Sequence, residues 1–229
     1  MRAFILAGGL GTRLHPPTYY IPKSLILISG RPIIEYIIEH LRGHSISEVV
    51  LCTTRAYSRD FKHYLANRDL GVRITYSIGS RRLETSGRLL AAKRYADDTF
   101  IVYYGDILTR LDLTDMIRFH RRKGAIATIA LNAATPIDKG LACLDSDGRV
   151  TLFREKPVLE GFLVNMGLYV FEPAVIDYCR PERDIAAHTI PEMIDAGLPV
   201  FGYVVRQPFY DIGTFKSLEE VKKVFERER

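Results

Sequence analysis

The chain has 229 residues, of which 47% are hydrophobic and 26% charged, with a formal net charge of +5. That is enough chain for one large buried core, and the balance excludes disordered and collagen-like classes. Its 32 basic residues interleave with 27 acids, without an aromatic-plus-basic stripe, so the charge points away from nucleic acid and suits phosphorylated small molecules.

Cys52, Cys143 and Cys179 lie far apart, with no metal-ligand spacing. This predicts free core thiols rather than zinc or a disulfide framework. The six histidines show no ligand spacing either. The start, Met1 to Ala7, is too short an apolar run for a signal peptide, and no stretch approaches the ~20 apolar residues of a membrane span. The expectation is a cytoplasmic protein with no membrane partner.

Ala3-Phe4-Ile5-Leu6 reads as a buried first strand. Ala7-Gly8-Gly9-Leu10-Gly11-Thr12-Arg13-Leu14 then leaves its end as a glycine-rich loop, followed by Pro22-Lys23. Backbone without Cβ atoms can turn its N–H groups onto an anionic or planar ligand, and Arg13 and Lys23 add two positive charges. A P-loop would end in Gly-Lys-Ser/Thr, and a dinucleotide fingerprint would need glycine where Leu14 stands. On the glycines alone, a turn flanked by solvated basic residues fits equally well.

Leu25 to Ile28 reads as a short strand, and Pro32 as the first residue of a helix whose inner face is Ile33, Ile34, Ile37, Ile38 and Leu41, stopped by Gly43. A second strand spans Glu48 to Thr53, a helix Tyr57 to Leu65 and a third strand Val72 to Tyr76. This alternation predicts a mostly parallel sheet with right-handed crossovers. Leu83-Glu84-Thr85-Ser86-Gly87-Arg88-Leu89-Leu90 is a loop running into a helix. Phe100 to Asp106 is a strand ending in a carboxylate. Ligands sit at the carboxyl ends of strands in doubly wound sheets, so Asp106 is expected beside the glycine loop.

A helix from Asp112 to Lys123 and a strand from Ala125 to Leu131 follow. Asp145-Ser146-Asp147-Gly148 marks a hairpin turn and lacks the further ligands of a calcium loop. The tail predicts a helix over His188 to Ala196, a strand over Val200 to Val205 and an amphipathic helix over Phe215 to Glu226.

Read together, Gly8 to Leu14, Pro16-Pro17-Thr18, Pro22-Lys23 and Gly30-Arg31-Pro32 resemble the signature of the sugar-1-phosphate nucleotidyltransferases. These enzymes make nucleotide sugars from a nucleoside triphosphate and a sugar 1-phosphate. Later matches carry the resemblance to about residue 220. It implies an α/β fold, a Rossmann-like three-layer αβα sandwich with a mixed, mostly parallel sheet. It also implies a single domain over residues 1–229 without a C-terminal β-helix.

By the same resemblance, Ala7, Gly8, Gly9, Gly11 and Thr12 contact the nucleotide, and Arg13 and Lys23 carry the catalysis. Leu83 to Leu89 resembles Leu-Gly-Thr-Ala-Gly-Ala-Leu, the segment over the base, which assigns Glu84, Thr85 and Gly87 to nucleotide binding. Glu84 departs from the usual glycine. A carboxylate can accept from the N1–H and N2–H₂ edge of guanine, which tilts the base toward GTP, whereas a similar Leu-Glu-Thr-Gly variant fits uridylyl transfer. Lys139-Gly140-Leu141 resembles Tyr-Gly-Val, where the glycine backbone meets the sugar. The missing tyrosine leaves the sugar open.

Glu155-Lys156-Pro157 matches Glu-Lys-Pro, which implies Glu155 on sugar hydroxyls and Lys156 on the sugar phosphate. Asn165-Met166-Gly167 lines the sugar pocket on the same grounds. Asp106, and Asp211 in Phe209-Tyr210-Asp211-Ile212-Gly213-Thr214, are the implied ligands of Mg²⁺. The attacking phosphate monoester has a second pKa of about 6, so it needs no general base, in keeping with a chain that offers no convincing catalytic histidine.

The expected partners are therefore a nucleoside triphosphate and a sugar 1-phosphate, with homo-oligomerisation left open. Mannose-1-phosphate guanylyl transfer is the first reading. Uridylyl or thymidylyl transfer to glucose 1-phosphate, or transfer to a heptose or amino-sugar phosphate, is the alternative within the class. A regulatory subunit that binds nucleotide sugars without turnover is the alternative outside it, and the presence of Arg13, Lys23, Asp106 and Asp211 argues against it.

Overall fold

The computed structural model describes residues 1–66, 68–80, 82–133, 140–157 and 161–227. Its frame is a seven-stranded sheet with helices on both faces. The first strand, β1 (Arg2–Leu6), is buried on both sides, as its unbroken apolar run requires. Ala3 and Ile5 point into one core layer, and Phe4 and Leu6 into the other. Two short strands, β2 (Leu27–Ile28) and β3 (Arg31–Pro32), form a separate antiparallel ribbon. The expected strand over Leu25 to Ile28 is thus shortened, because the backbone over Lys23–Leu25 closes into a 3₁₀ turn.

Helix α1 (Ile33–Gly43) buries Ile33, Ile34, Ile37, Ile38 and Leu41 against the first layer. Pro32 stands just outside it, as the N-cap rather than the first helical residue. Strand β4 (Glu48–Thr54) leads directly into α2 (Arg55–Leu65), whose start is capped by the Thr54 hydroxyl accepting from the Tyr57 N–H at 3.4 Å. Then come β5 (Arg73–Gly79), α3 (Thr85–Ala91), β6 (Phe100–Tyr104) and β7 (Ile107–Thr109). Helix α4 (Leu113–Lys123) opens on an Asp112 carboxylate that accepts from the Asp115 N–H at 2.9 Å, and closes on Gly124 in the left-handed region.

Strand β8 (Ala127–Asn132) is followed by the hairpin β9 (Leu141–Leu144) and β10 (Val150–Arg154), which forms where the Asp-Ser-Asp-Gly turn predicts it. The remaining elements are β11 (Val164–Phe171), α5 (Ile190–Asp195), β12 (Val200–Val205), β13 (Phe209–Asp211) and α6 (Phe215–Arg227). The expected helix over His188 to Ala196 is divided: a π-helical turn over Ile185–Thr189 runs into α5. Among the cysteines, Cys52 and Cys179 are buried core thiols, and burial pushes the Cys52 pKa up to about 12. Cys143 departs from the core expectation, because it sits exposed on the β9–β10 hairpin.

Strand order across the sheet is β12-β8-β11-β6-β1-β4-β5. Only β11 runs against its neighbours; the β1–β4, β4–β5, β1–β6 and β8–β12 pairs are parallel. Helices α1, α2, α4 and α6 contribute to one core layer and α3 and α5 to the other, giving the three-layer αβα sandwich. From β1 the chain moves outward through β4 to β5, then returns to β6 on the opposite side of β1. That reversal opens a crevice at the carboxyl ends of β1 and β6, the usual ligand position in such a sheet. No helix among the described residues is long and apolar enough to cross a membrane.

Candidate active site

The crevice holds a cavity of about 280 Å³ between the glycine loop, the start of α3 and the end of β6. Of the residues singled out by sequence, Ala7, Gly8, Gly9, Lys23, Glu84, Thr85 and Asp106 line it. Gly11, Thr12 and Arg13 continue the loop beside them. Gly11 takes φ +62° as it enters the 3₁₀ turn Thr12–Leu14, and its carbonyl accepts from the Thr18 hydroxyl at 2.8 Å. That conformation suits glycine, and the hydroxyl bond fixes the turn that presents Arg13.

The two strand ends are tied together tightly. The Ala7 N–H donates to the Cys52 carbonyl at 2.8 Å, and the Gly105 N–H to the Leu6 carbonyl at 3.0 Å. The Ser24 hydroxyl donates to the Gly105 carbonyl at 2.6 Å. A Cβ on Gly105 would lie 2.6 Å from that hydroxyl and 3.0 Å from the Leu6 carbonyl, so only glycine lets the strands approach this closely. The turn holds Asp106 against Lys23, whose ammonium forms a direct ion pair with the Asp106 carboxylate. Both side chains are largely removed from solvent, at 13% and 28% exposure.

Asp211 reaches the same place by another route. Strand β13 pairs antiparallel with β7 and sets Asp211 opposite Ile107, and the Ile212 N–H donates to the Asp106 carbonyl at 3.0 Å. Loss of solvation first, then repulsion from Asp106, raises the Asp211 pKa, while Lys23 and Arg13 pull it down. A Cβ on Gly213 would lie 2.9 Å from Arg13 Nη2 and 3.2 Å from Asp211 Oδ1, which places Arg13 beside Asp211. Two carboxylates and two cations, drawn from four segments, thus share one end of the crevice.

Gly87, also expected at the nucleotide, does not line this cavity. It is buried, and a Cβ there would stand 2.1 Å from the Pro181 carbonyl oxygen, so its bareness serves the packing of α3 on the 180s segment. The same segment orders Thr85: its hydroxyl donates to Asp184 Oδ2 at 2.7 Å and accepts from the Ile185 N–H at 2.7 Å. Glu84 is solvent-exposed at the cavity edge.

The residues that the resemblance assigns to the sugar phosphate lie around strands β9 to β11. A Cβ on Gly140 would meet Glu155 Oε2 at 2.7 Å and the Phe153 ring at 2.8 Å, so Glu155 reaches over Gly140. Lys156 is exposed and adopts φ +47°. Asn165 accepts from the Gly167 N–H at 3.0 Å and donates to the Tyr169 hydroxyl at 2.8 Å, at an irregularity in the β11–β8 pairing. Tyr169 in turn packs against Tyr104, with ring centroids 5.7 Å apart, and Tyr104 lines the crevice cavity. Lys139 lies outside the described residues.

Sequence reasoning misses Arg88. It stands where the resembling segment has alanine, a cation within an otherwise apolar helix turn, and that mismatch is the available signal. The side chain is 6% exposed and lines the cavity.

A larger cavity of about 600 Å³ lies between α1, β7 and α6. Its imidazole, His40, bonds Tyr103 and the Leu111 carbonyl, and Arg31 is paired with Glu35 and Glu39. Lys23 and Asp106 line the smaller cavity instead, with Asp211 and Arg13 beside them.

A Rossmann-like sandwich with a glycine loop, a lysine and two aspartates at its strand-order reversal defines a nucleotide-binding α/β protein. Residues 2–228 match the nucleotidyl transferase family, and the chain belongs to that family. It is 34% identical over 250 residues to the UTP–glucose-1-phosphate uridylyltransferase of Synechocystis sp., aligning 100% of this chain with 64% of that protein. It is also 34% identical over 202 residues to the glucose-1-phosphate cytidylyltransferase of Salmonella typhi, covering 77% of each. In fold it is similar to HddC from Yersinia pseudotuberculosis, solved with GMP-PN, at a TM-score of 0.76, 24% identity and coverage of 98% of this chain and 99% of that one. The chain therefore spans just under two thirds of the uridylyltransferase's length.

Proposed function

We propose that the protein transfers a nucleotidyl group from a nucleoside triphosphate to a sugar 1-phosphate, giving a nucleotide sugar and pyrophosphate. The observation that carries this is the Lys23–Asp106 ion pair at the end of β6, facing the glycine loop at the end of β1 with Asp211 and Arg13 beside it. A phosphate monoester oxygen of the sugar attacks the α-phosphorus of the triphosphate, and the bond to the bridging oxygen of pyrophosphate breaks. The attacking oxygen is already ionised near neutral pH, so no base is required. The obstacle is repulsion between two polyanions, and the remedy is fixed positive charge and in-line placement.

Lys23 supplies charge at the α-phosphate and Arg13 at the leaving pyrophosphate. Lys156 holds the sugar phosphate, Glu155 and Asn165 its hydroxyls, and the Gly140 backbone the ring. Asp106 and Asp211 suit a magnesium ion: both offer oxygen donors, and their mutual repulsion is relieved by a cation. No group of three or more potential ligands occurs among the described residues, so an ion here would be completed by phosphate oxygens and water rather than by a protein cage. Such an ion would neutralise charge on the triphosphate.

GTP with mannose 1-phosphate is the finer reading, supported by Glu84 at the cavity edge as an acceptor for guanine N–H groups. The test is pyrophosphate release with Mg²⁺, crossing GTP, CTP, UTP, dTTP and ATP with mannose, glucose and N-acetylglucosamine 1-phosphates. Release dependent on both substrates is expected, with GTP and mannose 1-phosphate as the best pair. A different best pair would overturn the finer reading and keep the class. Absence of release with every pair would favour the non-catalytic nucleotide-sugar-binding subunit.

A further inference from the structure

Arg88 is a charged side chain in the wrong place for structure alone. It is 6% exposed, and its Nη1 atom is buried with no hydrogen-bond partner. Burial lowers its pKa, only partly offset by Cys52 and Glu84. Burying a polar group without a partner costs stability, and a buried cation costs more. Such a group persists where something absent from the folded chain completes it.

Its position says what that partner is. The guanidinium lies across Gly8: a Cβ there would stand 2.2 Å from Nη1 and 2.4 Å from Cζ. The walls nearby are Leu6, Ala7 and Leu83, with the Tyr104 hydroxyl also buried. The phosphates are drawn to the other end of the crevice, where Lys23 and Arg13 stand beside the aspartates. The apolar end with its orphaned donor is left for the nucleobase.

We propose that Arg88 reads the base of the bound nucleotide, donating both arms of its fork to two adjacent acceptors on one base edge. A guanidinium can only donate, in a planar, bidentate geometry. Guanine presents such a pair at O6 and N7, and cytosine at O2 and N3. In uracil and thymine the two carbonyls are separated by an N–H, and in adenine each ring acceptor adjoins an amino group or stands alone. Arg88 therefore selects GTP or CTP over UTP, dTTP and ATP. This rests on the proposed function for the identity of the ligand, and it names the residue that sets its base.

The test compares wild type, Arg88→Met and Arg88→Lys by calorimetric titration with each of the five nucleotides, which needs no turnover. Wild type is expected to bind GTP or CTP at least about tenfold more tightly than UTP, dTTP and ATP, the scale of one bidentate base contact; the GTP and CTP arms decide between the two bases. Arg88→Met is expected to flatten that preference to within about twofold, and Arg88→Lys to keep a fraction of it, because an ammonium lacks the fork. The melting temperature of Arg88→Met should equal or exceed that of wild type, since an orphaned buried cation has been removed.

Equal loss of affinity for all five nucleotides would place Arg88 on the phosphates or ribose and overturn the proposal. An unchanged profile, or a wild-type preference for UTP, dTTP or ATP, would overturn it too. If wild type binds nucleotides with the expected preference yet releases no pyrophosphate, the catalytic function fails while the role of Arg88 stands.

Discussion

Replacing Lys23 with alanine is expected to lower turnover by about 10²- to 10³-fold, the usual loss when one preorganised charge-stabilising donor is removed. The ammonium is held by Asp106 in a largely buried ion pair, so its place does not have to be organised during the reaction. Its removal leaves the Asp106 and Asp211 carboxylates with one fewer cation between them. The Mg²⁺ concentration for half-maximal activity should therefore not rise, and the metal-free protein should lose thermal stability that Mg²⁺ restores. Steady-state kinetics across a Mg²⁺ titration, paired with melting curves, separate these effects. Unchanged turnover would remove Lys23 from the chemistry.

Asp106→Asn should give the opposite metal signature. The substitution keeps size and shape at the end of β6 but removes the charge that pairs with Lys23 and faces Asp211. kcat/KM is expected to fall by about 10³-fold, and the Mg²⁺ requirement to rise about tenfold or more. An asparagine variant with normal Mg²⁺ dependence would show that Asp106 serves only to hold Lys23. The two variants together thus distinguish a metal carboxylate from a mere partner for the lysine.

The reach of sequence reasoning follows the range of the interactions. Strand β1, the glycine loop and Asp106 are legible because each is announced by a local apolar run and what ends it. The sandwich follows from the alternation of such runs with helical faces. The placement of Asp211 beside Asp106 has no local signature: it depends on two three-residue strands, β7 and β13, that lie far apart in the chain. Only the family resemblance assigns the two aspartates a shared role from sequence, and the ribbon supplies the geometry.

Gly87 carries a constraint that its local pattern does not show. A glycine in a nucleotide-loop pattern reads as a ligand contact, whereas what forbids a side chain there is the Pro181 carbonyl, from a distant part of the chain. The divided helix at Ile185–Thr189 has a comparable cause. Asp184 accepts from the Ala186 and Ala187 N–H groups and from the Thr85 hydroxyl, so the turn there is shaped by the needs of α3 as well as by its own residues. Arg88 escapes notice because a single arginine in a helix is ordinarily solvated, and only the fold shows that this one is not.

The central claim is attack by the sugar phosphate on the α-phosphorus, with pyrophosphate leaving intact. It is tested most directly by following ³²P from the best nucleotide, labelled separately at the α and γ positions, with its sugar 1-phosphate. The account predicts α label in the nucleotide sugar and γ label in pyrophosphate, with neither product formed when the sugar phosphate is omitted. Release of γ label as orthophosphate, or transfer of γ label to the sugar, would contradict it.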